Sequence, residues 1–151
     1  MLIGLFLFNR IHDKASIEEV SFLLLLSCLI NTHTYGGLFE TFKWMKTTTD
    51  SKLFIAFLIY KNLFVPLILT CFVLLIDTSI KNLKILYFLF FIFIILFIDV
   101  INLSSGLYSF KTWNLAYTFI YYGILLLFLL FALKWFRGLK LRTEGEKNAV
   151  D

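Results

Sequence analysis

Proline occurs once in this chain, at Pro66, and cysteine twice, at Cys28 and Cys71. The two cysteines lie in separate apolar runs and form no CxxC pair. That excludes the paired-thiol chemistry of thiol–quinone oxidoreductases built on membrane four-helix bundles. They read as small buried apolar side chains. Histidine is equally scarce, at His12 and His33. His12 precedes the first long apolar segment and His33 follows its core, so the two cannot share a metal or a haem. His33 with Glu40 alone is an incomplete zinc set. There is no serine-nucleophile motif and no phosphate-cradling glycine loop. This reading holds no metal and no cofactor, and points away from an enzyme.

Charge is scarce where the chain is most apolar. Of 151 residues, 60% are hydrophobic, 19% are aromatic, and the mean hydropathy is +0.89. A soluble domain is about half apolar and holds that half in a core. Here the excess sits in long, nearly uncharged runs, the pattern of lipid-facing structure. With those runs removed, no stretch is left that is long enough for a soluble core. The net charge of +4 is no nucleic-acid footprint. Its basic residues cluster after the last apolar run, at Lys134, Arg137, Lys140 and Arg142, where positive charge retains a tail in the cytoplasm.

What is present predicts an all-α fold, an integral membrane four-helix transmembrane bundle with up-down-up-down, antiparallel topology. Residues 1–8 are apolar but too short to span about 30 Å of hydrocarbon. Their charges follow rather than precede them, unlike a secretory signal. Residues 1–19 therefore read as an interfacial, cytoplasmic segment, ending in a capping box formed by Ser16 and Glu19. The spans fall at about 20–42, 53–76, 85–103 and 113–136. The first is the least regular, since only 20–30 is cleanly apolar and a polar stretch follows. Residues 137–151 read as a basic, then disordered cytoplasmic tail.

Lysine and arginine counts set the orientation. One side carries nine (Arg10, Lys14, Lys81, Lys84 and five in the tail) and the other four (Lys43, Lys46, Lys52, Lys111). Both termini are thus expected in the cytoplasm, with the chain multi-pass in the cell (inner) membrane.

Intramembrane charge is costly and usually marks a pairing or a function. On these spans Lys61 lies about 12 Å, and Asp99 about 6 Å, from the outer end of its helix. The expectation is that they pair. His33, Gly37 and Glu40 share one face of the first span, Asp99 and Asn102 one face of the third, and Asn114, Tyr117 and Tyr121 one face of the fourth. Pro66 frees the carbonyl of Asn62 beside Lys61. A ligand or partner pocket is therefore expected from His33, Glu40, Lys61, Asn62, Asp99, Asn102, Asn114, Tyr117 and Tyr121 in the outer half. The competing expectation makes the same residues polar glue between helices. The inner half reads as nearly pure hydrocarbon.

The functional expectation is a non-enzymatic polytopic membrane protein, a small subunit or partner-binding component of a membrane system. An immunity-type protein acting within the bilayer is a variant of it. The alternatives are a small transporter or channel using the outer polar layer, and a membrane-embedded lipid- or quinone-binding enzyme. The partners expected are the lipid bilayer and another membrane protein or a second copy, with no nucleic acid.

Overall fold

The computed structural model describes residues 15–148, so most of the expected N-terminal segment, with His12, lies outside the described residues. Four helices are long and apolar enough to cross a membrane: Ile17–Thr41, Ser51–Thr78, Lys81–Ser104 and Leu115–Arg142, the first to fourth spans. The architecture is all-α.

The first span begins at Ser16, whose side chain accepts the Glu19 N–H at 3.3 Å. Only this half of the capping box forms, because the Glu19 carboxylate is drawn to Arg137 instead. The helix passes through the polar stretch after Ile30 and ends in a π turn, Gly37–Thr41. It buries Glu19, Leu23, Ser27, Asn31 and Tyr35, a stripe of every fourth residue.

The second span is capped by Asp50, whose Oδ1 accepts the N–H groups of Lys52 and Leu53 at 2.8 and 3.1 Å. It is interrupted by a second π turn, Tyr60–Phe64, two residues before Pro66. This extra residue carries the buried stripe from Phe57 through Tyr60 to Val65. The fourth span starts at Asn114, whose Oδ1 accepts the Tyr117 N–H at 3.0 Å. Its helix continues to Asn148, well past the expected end at 136. Residues 137–142 lengthen it because Arg137 and Lys140 find carboxylates on the first span one helix away.

The first span packs against the second and fourth, and the third closes the ring between them. Strand β1 (Met45–Thr47) follows the first span and β2 (Tyr108–Phe110) follows the third. They pair antiparallel, Lys46 opposite Ser109, which fixes both loops at the same end of an up-down-up-down bundle. Neither strand is expected from the sequence, since each is only three residues long. The ribbon is locked by the Trp44 carbonyl, which accepts the N–H groups of Lys111 and Thr112 at 2.9 and 3.2 Å. Trp44 packs against Trp113, the rings tilted by 31° with centroids 6.0 Å apart.

Candidate functional site

The polar residues separate into four groups at different depths. At the ribbon end, Asp99 is buried at 3% exposure. Its Oδ1 accepts the Tyr60 hydroxyl at 2.8 Å and the Tyr108 hydroxyl at 2.6 Å. Beside it the Tyr35 and Tyr122 hydroxyls share a hydrogen bond of 3.1 Å. All four spans contribute one side chain: Tyr35, Tyr60, Asp99 and Tyr122. The ribbon adds Tyr108. Burial and the nearby Asp99 charge push the Tyr108 hydroxyl to titrate far above an ordinary tyrosine, so it stays a donor.

The expected pairing of Lys61 with Asp99 is corrected by this arrangement. Adjacent residues on a helix point about 100° apart, and the π turn gives the core position to Tyr60. Lys61 is turned outward. Its ammonium sits over the rings of Tyr35 and Phe57, 5.9 and 5.6 Å from their centroids, within cation–π reach.

The third group lies at mid-depth. In a π turn the N–H bonds back five residues, as Val65 does to Tyr60. The carbonyl of Lys61 would then look to residue 66, which is proline and has no N–H. Asn31 supplies the missing donor, its Nδ2 bonding the Lys61 carbonyl. The neighbouring Asn62 carbonyl accepts Cys28 Sγ at 3.6 Å, and the Asn62 side chain accepts the Thr32 hydroxyl at 3.2 Å. The first span thus repairs the backbone of the second.

The fourth group corrects the expected hydrocarbon character of the inner half at its far end. There Arg137 holds Glu19 and Asp77, at 2.8 and 2.5 Å, joining the first, second and fourth spans. Each of these residues sits at or just beyond an expected span boundary, so their convergence is a tertiary effect. Between this cluster and Asp99 the core is packed mainly with Leu23, Leu69, Phe91, Leu126 and Leu129.

The remaining expected site residues do not converge. His33 and Glu40 are exposed, because the buried stripe of the first span runs through Asn31 and Tyr35 instead. Asn102 shares the buried face of Asp99, with its Nδ2 unpartnered. Asn114 is spent on capping, Tyr117 is 48% exposed, and only Tyr121 turns inward, its buried hydroxyl without a hydrogen-bond partner. Tyr35, Tyr60, Tyr108, Tyr122 and Asn31 are the site residues that sequence analysis missed.

A cleft of about 390 Å³ opens at the ribbon end between the first and second spans. Lys61 lies in it, with Lys43, Lys46 and Lys111 from the ribbon loops and Glu40. Of the expected pocket residues, only Glu40 and Lys61 line it.

No protein-family model, curated protein or solved structure matches this chain. Its class comes from the fold: four apolar helices make it a multi-pass helical membrane protein by length and composition. Its particular character is a carboxylate ringed by tyrosines at one end and an arginine–carboxylate cluster at the other.

Proposed function

We propose that this chain is a non-enzymatic component of a cell (inner) membrane, acting by contact with another membrane protein, and that both its termini are cytoplasmic. The observation that supports this most is the closure of the polar interior. Asp99 is buried and holds two tyrosine hydroxyls. Below it the core among the described residues is packed mainly with apolar side chains around the buried Ser27, Asn31 and Thr70, which argues against a polar route through a single copy. What remains available to act is the outer surface, with the cleft that opens on it at the ribbon end. On the third span Phe93 and Phe97 stack with centroids 6.4 Å apart and stand 65% and 58% exposed. The lysine and arginine asymmetry supports the orientation.

The test is purification in mild detergent with a photoreactive residue at Phe93, followed by mass spectrometry of what is captured. A stoichiometric protein partner is expected. Solute flux through a reconstituted single copy, with no protein captured, would overturn the reading.

A further inference from the structure

Lys61 presents a problem in charge balance. It lies ten residues into the second span, about 15 Å along the helix from Ser51, and it is half-buried. Among the described residues the ion pairs join Glu18, Glu19 and Asp77 to Arg137 and Lys140, all at the opposite end. None includes Lys61 or the other lysines of its cleft. An intramembrane cation is usually paired or faces a water-filled cavity. Lys61 has two aromatic faces and an open cleft in front of it.

The cleft is lined by four lysines and one acidic residue, Glu40, a formal local excess of three positive charges. Two of these lysines, Lys46 and Lys111, are brought together by the β1–β2 ribbon although they lie 65 positions apart. Lys43 is held at φ 53, a left-handed backbone conformation uncommon outside glycine. The basic rim is therefore built by tertiary structure and is not a run of sequence. Lysines brought to one cleft from the second span and both ribbon loops suit an anion with oxygens on several sides, and lysine is a point-charge phosphate binder.

The floor is apolar. Phe57 is buried beneath Lys61, and Phe54, on the cleft lining, is itself 41% exposed on the outside of the helix. The cleft thus joins a basic mouth to an apolar flank at membrane depth. That combination fits a headgroup carried on a hydrocarbon chain better than a free ion.

We infer that this cleft binds the phosphate headgroup of an anionic membrane amphiphile, with Lys61 meeting the phosphate from below and Lys43, Lys46 and Lys111 closing on it from the rim. The inference uses the membrane character of the chain and does not depend on the protein-partner reading. Failure here would leave photocapture at Phe93 unaffected.

The test uses the full chain in neutral-detergent micelles containing equal amounts of phosphatidylglycerol and phosphatidylcholine, read by native mass spectrometry. One phosphatidylglycerol retained per chain is expected, in preference to phosphatidylcholine. Each lysine removed should weaken retention about fivefold, as basic residues near anionic headgroups do. Lys61→Met is the direct variant. The Lys46→Gln, Lys111→Gln pair, on the exposed rim, keeps the test valid if Lys61→Met fails to fold. Lys81→Gln, at the opposite end, should retain the lipid unchanged. Equal retention of both lipids, unchanged retention in the rim variant, or displacement by inorganic phosphate would each overturn the assignment.

Discussion

Arg137 grips Glu19 through both carboxylate oxygens, Nε to Oε1 at 2.9 Å and Nη2 to Oε2 at 2.8 Å, across 118 positions of sequence. Its third nitrogen reaches Asp77. The side chains of Glu19 and Asp77 are 11% and 14% exposed, that of Arg137 32%, so the cluster lies between the surface and buried limits. Exposed pairs contribute up to about 1 kcal/mol, and breaking a buried one costs about 3–5 kcal/mol. Arg137→Leu should therefore cost about 2 kcal/mol, because it strands two carboxylates. Glu18→Gln, on the exposed neighbouring pair, should cost less than about 0.5 kcal/mol. Reversible unfolding in mixed micelles measures both, and equal effects would remove the cluster from the account of stability.

At the ribbon end the same logic applies to an acceptor. Asp99→Leu strands two buried hydroxyl donors, at about 1–3 kcal/mol each. Asp99→Asn keeps an oxygen in place and should cost less than half as much. Tyr60→Phe removes one donor and leaves Tyr108 on the carboxylate, so about 1 kcal/mol is expected. If Asp99→Leu were as stable as Asp99→Asn under the same unfolding assay, the hydroxyls would have other partners.

Much of the fold was legible because hydropathy and helix length act locally. Four apolar runs separated by short polar loops can hardly form anything but four helices in lipid. The site was less legible. The Lys61–Asp99 expectation rested on depth along the helices, which says nothing of the face, and the face turns on the π turn at Tyr60–Phe64, where Tyr60 takes the core position. The tyrosines were hidden among many aromatics, since nothing local distinguishes Tyr35 from a lipid-facing ring. One signal was available. Glu19, Ser27, Asn31 and Tyr35 recur at multiples of four with Leu23 between them, a polar stripe on an apolar helix that lipid would not tolerate. The ribbon and the Arg137 cluster depend on contacts across dozens of residues and have no local signature.

The ribbon puts Ser109 and the lysine cleft at one end, and Arg142 at the other. With Cys28 and Cys71 replaced by serine, the proposed orientation makes Ser109→Cys reactive toward a membrane-impermeant maleimide applied from outside the cell. Arg142→Cys should label only after permeabilisation. The reverse pattern would invert the orientation and move the cleft to the cytoplasmic face. Labelling of both residues from outside would mean that the fourth span, Leu115–Arg142, does not cross.

The Asn31–Pro66 relationship can be tested by a cycle of variants. Asn31→Ala leaves the Lys61 carbonyl without a donor in a buried site, at about 1–3 kcal/mol. Pro66→Ala restores an N–H at the position that the π turn requires. It also lets the segment revert to regular α-helix, where residue 66 would serve the Asn62 carbonyl instead. Either route supplies the backbone with a donor of its own. The double variant should therefore be more stable than the sum of the single effects, with a coupling of about 1 kcal/mol for residues acting on one carbonyl. Additivity within about 0.3 kcal/mol would mean that Asn31 acts by packing alone. The coupling also bears on the cleft, because the turn that needs Asn31 is the turn that aims Lys61 outward. In Pro66→Ala, regularising the helix would rotate Lys61 back toward the core, and retention of phosphatidylglycerol should fall along with the need for Asn31.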